Sequence, residues 1–286
     1  MKPVTSLAPI LKWVGGKRQL LPEILPKVPA TFKNYIEPFF GGGAVFFELL
    51  PNRARINDFN TELINVYTTV KEHPDELISL LEQYREQNTK EFFYYLRGLD
   101  REETFSSLTS VERAARIIYL NKTCYNGLYR VNASGFFNTP YGRYKNPNIV
   151  NESVLRAMSA FFNQNDITIT SGDYKETLRH ASPGDFVYLD PPYMPISSSS
   201  AFTGYTEGGF DYAKQVELKE ACDQLRDAGI PFLQSNSDCQ EIRSLYKDYK
   251  IHTVQAKRNI NSKGNLRGQI NEVIIHYGGE KRTKRK

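Results

Sequence analysis

The 286-residue sequence predicts an α/β protein, a sheet interrupted by a mainly helical insert. Short apolar runs of strand character cluster near its start and return in its second half, while the stretch between them has helical periodicity. The first cluster opens with a strand, a glycine turn and a helix, the unit from which nucleotide-binding sheets are built.

Tyr35 to Phe39 is the first apolar run; it leads into Gly41-Gly42-Gly43, after which Ala44 to Leu50 can continue as a buried helix. Ala54 to Asn57 reads as a second strand ending at Asp58. In a nucleotide-binding half-sheet such glycines let the backbone approach a ligand, and an acid at the next strand end takes ribose hydroxyls. From Asn60 to about Met158 the pattern is helical. Pro74-Asp75-Glu76 begins an amphipathic stretch carrying Leu77, Leu80, Leu81 and Tyr84, and Thr109 and Glu112 have the spacing of a capping box for a helix through Asn121. Asn126 to Pro147, rich in Gly, Asn and Arg, is expected to be loop or hairpin. Strands resume at Ile167 to Thr170, Phe186 to Leu189, Ile230 to Ser235, His252 to Gln255 and Glu272 to Tyr277. Leu218, Ala221, Cys222 and Leu225 make one helical face that ends before Gly229.

The most informative motif is Asp190-Pro191-Pro192-Tyr193, directly after the strand-like Phe186-Val187-Tyr188-Leu189. Two prolines offer no backbone donor and stop the strand, so the chain turns at Asp190. A carboxylate, two carbonyls and an aromatic ring then stand at a strand's carboxyl end, where open α/β sheets place ligands. These groups suit group transfer to a poor nitrogen nucleophile, an exocyclic amine of a nucleobase or an amide. Asp190 and the Pro191 carbonyl can accept the N–H hydrogens, and Tyr193 offers a face for stacking. A proline-stiffened acidic turn is the plain alternative, but at average residue usage the tetrapeptide arises in such a chain by chance roughly once in a thousand.

Composition excludes several classes. No apolar stretch reaches the length of a membrane span, and Pro3, Pro9 and Lys12 interrupt the start of the chain, so a signal peptide is not expected and the cytoplasm is. Cys124, Cys222 and Cys239 are far apart, and His73, His180, His252 and His276 are scattered, which suggests neither a disulfide framework nor a metal site. Gly41-x-Gly43 lacks the third Rossmann glycine, and Gly15-Gly16-Lys17 is followed by Arg18 rather than Ser or Thr, which disfavours a dehydrogenase or a P-loop NTPase. The net charge of +5 is mild, but cationic residues collect in Arg130 to Lys145, Lys257 to Arg267 and Lys281 to Lys286. Such clusters can neutralise phosphates, and the tail can equally be a solubilising end.

Taken together, Lys12-Trp13-Val14-Gly15-Gly16-Lys17, Glu37-Pro38-Phe39-Phe40-Gly41-Gly42-Gly43, Asn57-Asp58, Asn126-Gly127-Leu128-Tyr129-Arg130, Asn138-Thr139-Pro140-Tyr141-Gly142-Arg143-Tyr144 and Asp190-Pro191-Pro192-Tyr193 closely resemble the Dam family of DNA adenine-N6 methyltransferases, in the motif order of its alpha group. The matches run from Lys12 to beyond Tyr193. The resemblance implies a Rossmann-like, S-adenosylmethionine-dependent methyltransferase sheet formed by residues 1–59 and 159–286, with residues 60–158 inserted as a helical DNA-recognition domain.

It also implies roles. Trp13, Lys17, Phe39, Gly41, Gly43, Asp58, Asp173 and Asp190 are expected at the cofactor, with Asp58 on the ribose and Asp173 facing the adenine. An ordinary core tryptophan and an ordinary Gly-Asp turn are the alternatives for Trp13 and Asp173. Lys12 matches the reader of the first guanine, Leu128, Arg130 and Pro140 would lie at the bases, and Asn132, Asn138 and Arg143 would hold phosphates. Tyr125 matches an aromatic wedge, and Arg97, Asn126 and Tyr144 are expected on the DNA as well. Asp190, Pro191, Pro192 and Tyr193 would be the catalytic group, acting on adenine in GATC after base flipping. The polar stretch Ser197 to Gly209 is expected as a mobile loop near the flipped base or a plain linker.

Expected partners are double-stranded DNA and a cognate restriction endonuclease, with no membrane, for a monomeric bacterial or phage enzyme that uses no metal and releases S-adenosylhomocysteine. An RNA or protein-glutamine N-methyltransferase and a non-catalytic DNA-binding module are the other readings. The former commonly carries Asn before Pro-Pro-Tyr, and intact Asp190, Asp58 and Lys17 speak against the latter.

Overall fold

The computed structural model describes residues 7–195, 210–257 and 269–279. Among them are α1 (Leu21–Ile24), β1 (Tyr35–Glu37), α2 (Ala44–Leu49), β2 (Arg53–Asp58), α3 (Thr61–Glu72), α4 (Pro74–Glu86), α5 (Lys90–Gly98), α6 (Ser110–Thr123), α7 (Glu152–Gln164), β3 (Asp166–Ser171), α8 (Tyr174–Leu178), β4 (Phe186–Leu189), α9 (Tyr212–Asp227), β5 (Phe232–Ser237), α10 (Gln240–Leu245), β6 (Lys250–Lys257) and β7 (Gln269–Tyr277). The sheet order is β3-β2-β1-β4-β5-β7-β6. β1 pairs in parallel with β2 and β4, and β4 with β5; β7 runs antiparallel to both β5 and β6. This is a doubly wound α/β sheet whose order reverses between β1 and β4, and ligands of such sheets bind beyond the strand ends at that switch point. Among the described residues no helix is long and apolar enough to cross a membrane.

The chain forms two compact units. One holds the residues up to Gly16, Gly41–Asn52 and Asn57–Gly172; the other holds Lys17–Phe40, Arg53–Ile56 and the residues from Asp173 onward.

The first unit is mainly helical, and several of its helices begin where the sequence supplies caps. Asn60 accepts the Leu63 amide at the start of α3, Pro74 occupies the first turn of α4, and Thr89 caps α5 through the Phe92 amide. The capping box of α6 is complete: Thr109 Oγ1 accepts the Glu112 amide while Glu112 accepts the Thr109 amide at 2.8 Å. The helical run extends to Gln164 rather than Met158, since α7 is amphipathic throughout and buries Val154, Leu155, Met158 and Phe162. Asn126 to Pro147 is irregular, with bridges Cys124↔Tyr141 and Val131↔Phe137 giving it hairpin character.

In the second unit, β4 is buried at all four positions and packs with Leu218, Cys222 and Leu225 of α9 in one core. Gly229, at φ 69°, ends the turn after α9. The expected strand Ile230 to Ser235 lies two residues further on, at β5, because Pro231 lacks a donor and the polar residues Ser235, Asn236 and Ser237 are carried inside the sheet. β6 and β7 likewise extend beyond the expected His252 to Gln255 and Glu272 to Tyr277. The expectations for Ser197 to Gly209 and for the tail Lys281 to Lys286 fall outside the described residues, as does the basic run beyond Lys257.

Candidate active site

β4 delivers Asp190 to the switch point, and Pro191 and Pro192 end the strand there. Lys17, at the start of a 3-10 turn (Lys17–Leu20), is buried; its Nζ lies 2.8 Å from Asp190 Oδ1 and 4.7 Å from the Tyr193 ring centroid. The Tyr193 hydroxyl donates to Glu272 Oε2 at 2.8 Å. Burial first, then the charges of Asp190 and Glu272, push the Tyr193 phenol well above its ordinary value, so it stays a donor. The ammonium is thus both the ion partner of the carboxylate and a cation on the aromatic face. At the neighbouring strand end, buried Glu37 accepts from Tyr35 at 2.8 Å. Phe39 stacks on Tyr174 at 5.1 Å and meets Phe210 edge-on at 5.8 Å. Asp173 is exposed and caps α8, accepting the Lys175 amide at 2.8 Å.

In the first unit the glycine turn is built against Trp13. Gly41 sits at φ 51°, and a Cβ there would lie 3.1 Å from the indole Cδ1. Trp13 is half-buried and stacks on Tyr129, with centroids 4.6 Å apart, so it is a surface platform rather than a core tryptophan. Asp58 accepts the Gly41 amide at 2.8 Å through one oxygen and the Asn60 amide at 2.9 Å through the other. Burial raises the Asp58 carboxyl above its ordinary value, while the two N–H groups lower it. The carboxylate therefore fixes the glycine turn and retains acceptor capacity for hydroxyl donors.

The same unit holds the expected DNA-facing residues. Buried Asn121 accepts the Lys12 amide at 2.9 Å and donates to the carbonyls of Lys12 and Gly127 at 2.9 and 3.1 Å. This ties Lys12 to the Asn126-Gly127-Leu128 turn. Tyr125 and Tyr144 are 55% and 42% exposed, as a wedge or stacking surface requires, and Asn126 and Arg143 adopt left-handed φ of 57° and 55°. Arg130 is exposed and donates through Nε to Asn138 Oδ1 at 2.6 Å, so an expected base reader and an expected phosphate holder are paired with each other. Asn132 turns its side-chain oxygen inward to the amides of Ser134 and Phe136. Arg97 donates to the Phe137 carbonyl at 3.3 Å and lies over Tyr94, which gives it a scaffold contact. Pro140 is exposed, and its carbonyl accepts the Tyr125 amide at 2.8 Å; Thr139 Oγ1 donates to the Leu128 carbonyl at 2.6 Å. A Cβ on Gly142 would lie 2.7 Å from the Cys124 carbonyl oxygen, so the two sides of the loop meet this closely only with glycine there.

Nothing in the sequence singles out Asn121 or Glu272. Neither carries a local pattern: Asn121 acts across 109 residues on Lys12, and Glu272 across 79 on Tyr193.

Fold and strand end mark a methyltransferase of the α/β kind, and similarity to known proteins narrows the class. The D12 class N6 adenine-specific DNA methyltransferases match residues 13–260, and the chain belongs to that family. It is 48% identical over 274 residues to the type II methyltransferase M1.LlaDCHI of Lactococcus lactis, with 96% of each chain covered. It is 41% identical to the type II methyltransferase M.MjaIII of Methanocaldococcus jannaschii, over 95% of this chain and 100% of that one. It is 35% identical to the DNA adenine methylase of Escherichia coli, over 93% of this chain and 94% of that one. The protein is accordingly an enzyme, an adenine-specific DNA methyltransferase.

Proposed function

We propose that the enzyme transfers the methyl group of S-adenosylmethionine to the N6 amino group of adenine in double-stranded DNA, within GATC, after drawing the base out of the helix. The observation that carries this reading is Asp190 at the end of β4, with Lys17 Nζ at 2.8 Å and the Tyr193 ring beside it.

The residues of the glycine turn fit the cofactor. Bare Gly41 against Trp13, and the Asp58 carboxylate at the end of β2, are the backbone opening and hydroxyl acceptor that a nucleoside needs. Trp13, Gly41, Gly43 and Asp58 are the residues of the first unit that would hold it. Bound, S-adenosylmethionine supplies a methyl group on a positively charged sulfur and leaves as a neutral thioether.

The chain's own residues do the rest. An exocyclic amine is a weak nucleophile because its lone pair is delocalised into the ring. Asp190 and the Pro191 carbonyl accept its two hydrogens, which lets the nitrogen become tetrahedral and aims its lone pair, and the proton that the methylated nitrogen must then lose passes to the Asp190 carboxylate. Tyr193 stacks the extruded base and offsets part of the few kcal/mol that flipping costs. Lys17 keeps the Asp190 charge paired until an amino group takes its place. The resemblance put Lys17 at the cofactor, whereas its geometry supports a role at the catalytic carboxylate.

We assign residues 60–158 to DNA recognition. Lys12, Leu128, Arg130 and Pro140 would read bases, and Arg97, Asn132, Asn138 and Arg143 would contact the backbone, with Tyr125, Asn126 and Tyr144 at the distorted step. A cognate restriction endonuclease is the further proposed partner, suggested by the type II methyltransferase relatives.

Incubation with radiolabelled S-adenosylmethionine and duplexes differing only in GATC tests the reading. Label on adenine of the GATC duplex alone is expected. Equal labelling of both duplexes contradicts the site, and label only on RNA or protein contradicts the substrate.

A further inference from the structure

Every residue of β5 is buried, yet four of the six, Gln234, Ser235, Asn236 and Ser237, are polar. An apolar strand would fill the same space without the desolvation cost of about 1–3 kcal/mol that each unpaired amide would incur. Two of these residues, with Gln215 of α9, bond to the backbone on either side of Tyr193. Gln215 Nε2 donates to the Pro192 carbonyl at 2.9 Å, and Gln215 Oε1 accepts from Asn236 Nδ2 at 2.9 Å. Asn236 Oδ1 then accepts the Met194 amide at 3.1 Å, and Ser237 Oγ donates to the Met194 carbonyl at 2.6 Å. The relay has one consistent direction. A proline carbonyl can only accept and a main-chain amide can only donate, so both ends orient the two amide side chains the same way.

Glu272 completes the arrangement at the tip of the ring by accepting from the Tyr193 hydroxyl at 2.8 Å. Tyr193 is therefore fixed by the peptide group before it, the peptide group after it and its own phenol. We propose that Gln215, Asn236, Ser237 and Glu272 are positioning residues of the methyl-transfer reaction, which preorganise the Tyr193 ring as the platform for the target adenine. The inference rests on the reading that the base stacks on Tyr193. A side chain already immobile before the base arrives loses no rotamer entropy when the stack forms.

The test uses the full-length enzyme with a GATC duplex and single-turnover methyl transfer, with folding of each variant checked by thermal melting. Asn236→Asp keeps shape and the acceptor for Met194 but removes the donor to Gln215. Transfer is expected to slow by about 10²-fold, the scale of a displaced reacting group, with duplex affinity unchanged. With 2-aminopurine at the target position, fluorescence in this variant should exceed that of the wild-type complex, because a loosened tyrosine quenches the extruded base less. If Asn236→Asp does not fold, the Glu272 pair decides: Glu272→Ala should slow transfer and Glu272→Gln, which retains an acceptor, should restore it. A folded Asn236→Asp at the wild-type rate overturns the inference, as does Glu272→Ala at that rate or an equal loss in both Glu272 variants. Tyr193→Ala separates the two ideas. A wild-type rate there removes the stacking reading itself, whereas a slow Tyr193→Ala beside a fast Asn236→Asp removes only the positioning role.

Discussion

The turn after β4 and the loop from Tyr125 to Tyr144 both carry residues that we propose for the reaction, but they are held in different ways. The turn is gripped by side chains from distant parts of the chain, Lys17, Gln215, Asn236 and Glu272, three of them buried. The loop is held through its own backbone and a few anchors, such as Asn121 beneath Lys12 and Gly127, while Tyr125, Arg130, Arg143 and Tyr144 remain exposed. A catalytic group gains from rigidity, since displacement by an ångström is costly. A DNA-reading surface gains from exposed donors that can exchange one another for base edges and phosphates. The Arg130–Asn138 pair illustrates this, because the donor and the side-chain amide that hold the loop together are groups that we propose a duplex recruits.

If the contrast holds, Asp190→Ala has the largest effect: methyl transfer is abolished while duplex binding survives, read by filter binding and label incorporation. Retained turnover would break the assignment of chemistry to the strand end. Arg130→Ala comes next, with loss of about 2 kcal/mol of discrimination at one base position and little change elsewhere, measured on a set of single-substitution duplexes. Asn121→Ala leaves three backbone groups without their buried partner, and a stability loss of about 2 kcal/mol in denaturant melts should accompany weaker reading of the first guanine. Arg143→Ala should weaken all duplexes alike and reduce the salt slope of binding by about 0.9. Sequence-neutral losses in both arginine variants would erase the split between base reader and phosphate holder. Thr109→Ala, which removes the cap of α6, is the smallest, a loss of about 1 kcal/mol with the transfer rate of the folded enzyme unchanged.

Much of the fold was legible because its signals are local. The apolar run before Asp190, the capping box at Thr109 and the glycines after Glu37 each declare an element within a few residues, and each stands where expected. The start and end of β5 were not legible, because Asn236 and Ser237 look like loop residues until the Met194 backbone that they bond is brought beside them. The same reason hid Gln215, Glu272 and Asn121, whose partners Pro192, Asn236, Tyr193 and Lys12 are 21 or more residues away. Lys17 was visible as a motif lysine, but only the folded chain reveals the carboxylate it meets.

The separation of chemistry from site choice is tested most directly by single-turnover transfer to a GATC duplex and to a duplex altered at one base of the site, comparing Tyr193→Ala with Arg130→Ala. The account predicts that Tyr193→Ala slows both duplexes by the same factor and leaves their ratio intact, while Arg130→Ala slows the cognate duplex more than the altered one and so compresses the ratio. A collapsed ratio in Tyr193→Ala, or an intact ratio in Arg130→Ala, would contradict it.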